Sequence, residues 1–181
     1  MIIALGMWAP DRWVPRRAAA QLRYGTAWVS GAARTADARR SVQAFLARAA
    51  ASAGTRFSAR AEQDALLIAS ELVGNALRHA PGPCGLVLEL YAADQAEAAG
   101  HAQDAGRVGV TGGDDREAPD DSQRSVLGIG VWDTSPALPL VHERDGARVG
   151  GHGLYLVRAC SRALGAALRP VGKEIIAEVA L

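Results

Sequence analysis

Residues 59–80 carry Ala65, Ile68, Leu72, Val73 and Ala76 at helical spacing, and the run stops at Pro81-Gly82-Pro83. Proline removes a backbone donor and restricts the residue before it, so a helix cannot continue through that tripeptide. Ser58 stands where an N-cap belongs. A long helix with one apolar stripe must lay that stripe on something. The short apolar runs at 86–91 and 126–132 have the length and composition of strands.

The rest of the chain extends this mixture. Residues 27–30 predict a short strand. Residues 36–50, after Thr35, predict a helix with Val42, Phe45, Leu46 and Ala49 on one side and Gly54 as the pivot that follows. Gly150 to Gly153 open a third helix running to about Leu164, with Gly165 as its C-cap. Strands at 167–171 and 174–180 follow, turned at Gly172-Lys173. Such an order favours an α+β fold, a two-layer α/β sandwich with helices on one face of a mostly antiparallel sheet. At 181 residues and 49% hydrophobic, the chain can bury one sizeable core. Residues 1–26, with Pro10, Pro15, Trp8 and Trp13 and no sustained period, read as an extension to a domain spanning 27–181.

Residues 92–124 interrupt that domain. They hold eight acidic residues against three Arg and almost no large apolar groups, so burial cannot offset their ordering entropy. A mobile insertion in a hairpin connection is expected, with a regulatory or partner-binding loop as the alternative.

A formal net charge of +1 provides no basic footprint for nucleic acid. Of the twenty cationic residues nineteen are Arg, and Lys173 is the single Lys. Cys84 and Cys160 lack metal-ligand spacing, so neither zinc nor a disulfide framework is expected and a reducing cytoplasm fits best. The apolar start at 1–7 is short and has no cationic lead, and no later run reaches bilayer length. A soluble, cytoplasmic protein is expected.

Three stretches carry chemistry. Glu71 and Asn75 lie four apart on the predicted helix, one turn from each other on one face, with His79 a turn further on. The amide oxygen of Asn75 is a neutral hard ligand for Mg²⁺, and the Glu71 carboxylate can take a proton from a hydroxyl or water. The same pattern also suits a plain polar helix face. Asp133 ends an apolar strand before Thr134-Ser135-Pro136, where its carboxylate can accept from an adenine amino group or simply start a turn. Gly150-Gly151-His152-Gly153-Leu154 precedes a helix, whose free N–H groups and dipole favour phosphate. This is neither a P-loop, which needs Gly-Lys-Ser/Thr, nor a Rossmann fingerprint.

In order, the three resemble the motif set of one superfamily. Ser70 to Ala80 resembles the N box of the gyrase, heat-shock-chaperone and histidine-kinase ATPase superfamily. Val131 to Pro139 resembles the adenine motif of the actinobacterial relatives of anti-sigma-factor kinases, and Gly151 to Val157 is similar to that family's second glycine box. The resemblance spans residues 27–181 and implies the Bergerat-type ATP-binding fold, with ATP and Mg²⁺ as cofactors. It implies Glu71 as general base and Asn75 as the Mg²⁺ ligand. Asp133 would bind the adenine amino group, and Gly151, Gly153 and the backbone of Leu154 would approach the phosphates. Residues 134–149 would form a lid in which Arg144 or Arg148 either meets a phosphate or is simply solvated, and Arg78 and His79 either support the phosphate end or, as the favoured role, pack behind it.

One departure stands out. Where the superfamily places glycines two and four residues after the Asp, this chain has Ser135 and Ala137. The implied function is a serine/threonine kinase of the anti-sigma type that phosphorylates an antagonist protein, with that antagonist and/or a sigma factor as partner, in a family whose members are often homodimers. The competing expectation is a non-catalytic binding module of the same fold. A histidine-kinase catalytic piece fits less well, since residues 1–26 are too few for a phospho-acceptor hairpin. A gyrase-type ATPase would need a transducer domain after Leu181.

Overall fold

The computed structural model describes residues 2–4, 20–92, 125–142 and 152–181. Its elements are β1 (Ile2–Ala4), β2 (Leu22–Trp28), α1 (Thr35–Ala53), α2 (Ala59–His79), β3 (Cys84–Ala92), β4 (Ser125–Asp133), β5 (Leu140–His142), α3 (Gly153–Cys160), β6 (Ala163–Leu168) and β7 (Lys173–Ala180). Five strands form one antiparallel sheet in the order β2-β3-β4-β7-β6, and β1 pairs with β5 in a separate antiparallel pair. The chain is therefore of the α+β class, a mixture of helix and antiparallel sheet.

Strand alternation decides which side of the sheet is packed. Leu86, Leu88 and Leu90 of β3, Leu127, Ile129 and Val131 of β4, and Ile175, Ala177 and Val179 of β7 share one buried cluster with the helices. The helices contribute Val42, Phe45, Leu46 and Ala49 from α1, Ile68, Leu72, Val73 and Ala76 from α2, and Leu154 and Val157 from α3. Each fully buried Leu or Ile of this cluster contributes about 1.5–3 kcal/mol through surface removed from water. By the same parity Asp133 and Lys173, at the ends of β4 and β7, lie on the helix-facing side. The opposite side carries the charged pairs Arg23–Glu89 (3.1 Å) and Arg169–Glu174.

Helix ends follow the sequence closely. Ser58 caps α2, its Oγ accepting from the Ala61 N–H at 3.1 Å, a contact that contributes about 1 kcal/mol. Gly54 ends α1 in the left-handed region at φ 64°. Ala80 closes α2 just before the Pro-Gly-Pro turn.

Three expectations are corrected. The strand expected at 27–30 is β2, Leu22–Trp28, so it begins inside the residues assigned to the extension. It is an edge strand whose mixed, half-exposed residues hide its alternation, and its register is set by β3, from Leu22↔Leu90 to Trp28↔Cys84. The third helix stops at Cys160, not near Leu164, and Gly165 is inside β6 instead of capping a helix. Ala163-Leu164-Gly165-Ala166-Ala167-Leu168 has helical leanings by composition, but its ladder with β7 (Ala163↔Glu178 to Leu168↔Lys173) overrides them. Finally, the loop after Asp133 contains β5. The insertion at 93–124, most of the extension, and residues 143–151 with Arg144, Arg148 and Gly151 lie outside the described residues.

The turn between β6 and β7 is held by Gly172 at φ 81°. A Cβ there would come within 2.7 Å of both the Asp133 carbonyl carbon and Thr134 Cα, so backbone would have to move. Gly172→Ala should therefore cost about 3 kcal/mol in urea denaturation. A loss under about 1 kcal/mol would show that this turn is free to relax.

Candidate functional site

Helix α2 carries the first half of the site. Glu71 and Asn75, both partly buried, project from neighbouring turns, and the exposed Arg78 folds back between them. Its Nη2 donates to Asn75 Oδ1 at 2.9 Å and stands 3.9 Å from Glu71 Oε2. The guanidinium packs over Gly74, where a Cβ would meet it at 3.6 Å, an ordinary contact distance. A guanidinium thus lies between the carboxylate and the carboxamide. Asn75 Nδ2 is buried without a hydrogen-bond partner. An orphaned buried amide nitrogen has a cost, and the donation from Arg78 fixes Oδ1 as the oxygen on the Arg78 side. His79 is exposed at the last turn.

The start of α3 supplies the second part. Gly153 abuts Glu71, and a Cβ on Gly153 would stand 3.2 Å from Glu71 Cδ and closer still to its carboxylate. The glycine stretch and the α2 carboxylate, separated by about eighty residues in sequence, are thereby in contact. Leu154 is buried in the core, which fixes the α3 N-terminus beside α2. The first N–H groups of α3 have no intrahelical partners, so they form an anion-seeking end. Of the residues singled out in the sequence, Gly153 meets Glu71, and Asn75 lies one turn further along α2, joined to Glu71 through Arg78. Gly151 lies outside the described residues.

Asp133 is the third part. Only 4% exposed, it uses Oδ1 to accept from the Ser135 N–H at 2.9 Å, the short-range turn its sequence context predicts. Oδ1 also accepts from Lys173 Nζ at 2.9 Å. Lys173, itself 4% exposed, donates a second bond to the Ser135 carbonyl at 3.0 Å. Cross-strand pairing of Asp133 with Lys173 explains the meeting. The neighbouring strand places Cys84 opposite Asp133, and burial, followed by the Asp133 charge, pushes that thiol up from its ordinary value. No second anion is therefore formed beside Asp133 near neutral pH.

Close-packed turns hold Asp133 and Thr134. Gly172 abuts their backbone from one side, and a Cβ on Gly82 would reach Thr134 Cβ at 3.2 Å from the other. Ser135 and Ala137 are accommodated in an open stretch, with the Ala137 N–H near Ser135 Oγ at 3.4 Å.

Sequence reasoning missed Lys173 as a site residue. The signal was present: it is the single Lys among twenty cationic residues, and it follows a glycine at the start of an apolar strand. Among the described residues no group of three or more His, Cys, Asp and Glu is placed to hold a metal, and no helix is long and apolar enough to cross a membrane. A magnesium ion carried mainly by nucleotide phosphates needs no such group, because it keeps water and phosphate ligands and asks little of the protein. The Asn75 amide fits that requirement. No protein-family model matches the chain, and no curated protein does.

Proposed function

We propose that this chain binds Mg-ATP between α2, the start of α3 and the Asp133 end of the sheet, on a Bergerat-type sandwich of the gyrase, heat-shock-chaperone and histidine-kinase superfamily. Its activity would be that of an anti-sigma-type serine/threonine kinase acting on a protein antagonist in the cytoplasm. The observation that carries this is the contact of Glu71 with Gly153, beside the buried unpaired amide nitrogen of Asn75. A base, a hard-ion ligand and a phosphate-seeking helix start converge there.

Within that function each residue has a definite task. Glu71 accepts the proton of an incoming serine or threonine hydroxyl. Gly153 lets the backbone approach phosphate, and the N–H groups of Gly153 and Leu154 donate to phosphate oxygens. Asn75 would hold magnesium, which when bound neutralises phosphate charge. Arg78 sits next to both α2 side chains and can turn to a phosphate oxygen. Asp133 accepts from the adenine amino group with the carboxylate oxygen that Lys173 does not hold.

A second reading, a non-catalytic partner-binding module, draws support from Ser135 and Ala137 and from the grip of Lys173 on Asp133. Incubating the chain with γ-labelled Mg-ATP and its antagonist protein separates the two. Transfer to a serine or threonine supports the kinase. No transfer supports the module, whether or not ATP binds.

Gly153→Ala tests the Glu71 contact. Among the described residues the atoms in the way belong to the flexible end of Glu71, so stability should change by less than about 1 kcal/mol. Transfer should nevertheless fall by about 10²-fold, because the carboxylate is displaced by roughly an ångström. Unchanged turnover would detach Glu71 from the chemistry.

A further inference from the structure

We propose that Arg78 and Mg²⁺ compete for a single atom, Asn75 Oδ1, so that Arg78 is a positioning residue that holds the ion ligand until nucleotide phosphates draw it away. This deepens the nucleotide-site reading above and rests on it.

The two ends of the Asn75 amide have different uses. Its nitrogen only donates and offers a cation nothing, so a magnesium ion must come to Oδ1. Arg78 Nη2 already donates to that oxygen at 2.9 Å, while Nδ2 is buried with no partner among the described residues. Turning the amide over would free the oxygen only by setting Nδ2 against the guanidinium, donor against donor. A second lone pair remains on Oδ1, but an ion taken there would stand within a few ångströms of the guanidinium, a double positive charge beside a single one. Arginine does not give up its charge near neutral pH, so only movement removes the conflict.

Arg78 is placed to make that movement. Its side chain is 59% exposed, three residues along α2 from Asn75, and it packs over Gly74 on the helix surface. A hydrogen bond to a neutral amide contributes little at such a position, and a triphosphate offers the guanidinium a stronger, charge-assisted partner. The same guanidinium stands 3.9 Å from Glu71 Oε2. Its departure therefore releases the ion ligand and the carboxylate together, when phosphate is present.

An arginine has five N–H donors, and Nη2 commits one of them to Oδ1. The others can meet phosphate whether or not the ion is bound, so that contact cancels from the ratio of ATP affinities with and without Mg²⁺. The bond to Oδ1 does not cancel, since the ion has to displace it.

Calorimetric titration of ATP into the full chain, with Mg²⁺ or with a chelator in its place, tests this. Wild type, Arg78→Met, Asn75→Ala and the double variant are compared, and the quantity read is the Mg²⁺ gain, the ratio of the two dissociation constants. Arg78→Met should weaken ATP binding in both conditions yet enlarge the Mg²⁺ gain by about threefold to tenfold, the worth of one displaced hydrogen bond. In the Asn75→Ala background the same substitution should leave the gain within about twofold, because the contested oxygen is gone. Displacement of a fluorescent ATP analogue extends the measurement to weak binders. An unchanged or smaller gain in Arg78→Met overturns the proposal, since a role in packing or in phosphate contact alone shifts both constants together. An equal enlargement in both backgrounds overturns it too, because loss of a positive charge then explains the effect without Oδ1. In either case the ATP site stands, whereas undetectable ATP binding by the wild-type chain overturns the nucleotide site itself.

Discussion

Lys173→Met is expected to lower the free energy of unfolding by about 3–5 kcal/mol, because it strands the Asp133 carboxylate in the protein interior. Both members of the pair are 4% exposed and bonded at 2.9 Å. Breaking a buried ion pair from one side leaves an uncompensated charge, whereas removing both charges does not. Asp133→Asn should cost less than Lys173→Met, since the amide keeps an oxygen for Lys173 and the Ser135 N–H, but it still leaves the ammonium without its counter-charge. The double variant Asp133→Asn/Lys173→Met should fall short of the summed losses by about 2 kcal/mol or more in urea denaturation. Additive losses would mean that the two side chains do not act as a pair. For a domain whose total stability is about 5–15 kcal/mol, the Lys173 loss alone approaches the threshold of folding.

Glu71→Gln should reduce phosphoryl transfer by about 10²–10⁴-fold while leaving ATP affinity within a few-fold of wild type. Gln has the shape of Glu, so it keeps the fit against Gly153 and can still face Arg78. What it loses is the capacity to take a proton. Single-turnover transfer and a parallel ATP titration read the two effects separately. Retention of the rate would remove Glu71 as the base. An equal fall in rate and in ATP affinity would show that its carboxylate serves binding and not the proton.

How much of this was legible in the sequence depends on how local the cause is. Ser58, Gly54 and the Pro-Gly-Pro stop announce the helix ends because caps and breakers act within a few residues. The strands β3 and β4 are legible because they are buried and apolar through most of their length. β2 is less so, since an edge strand with Arg23 and Gly25 owes its register to β3. The segment at 163–168 misleads for the same reason: Ala and Leu favour a helix locally, and β7 decides otherwise. In the site, the spacing of Glu71 and Asn75 is intrinsic to a helix, so it survives folding unchanged. Lys173 reaches Asp133 across forty residues only through strand pairing, which no local pattern reveals. Arg78 reaches Asn75 and Glu71 by a side-chain rotamer, which residue spacing alone does not reveal.

The central claim is a magnesium-nucleotide site built on α2. Titrating ATP into the wild-type chain and into Asn75→Ala, each with and without Mg²⁺, tests it most directly. Asn75 is the one residue assigned to the ion, and its orphaned amide nitrogen already marks an interior polar position without a partner. Wild type should bind ATP more tightly when Mg²⁺ is present, and Asn75→Ala should lose that gain while keeping its melting temperature. Undetectable ATP binding by the wild-type chain, or the same Mg²⁺ gain in both proteins, would contradict the account.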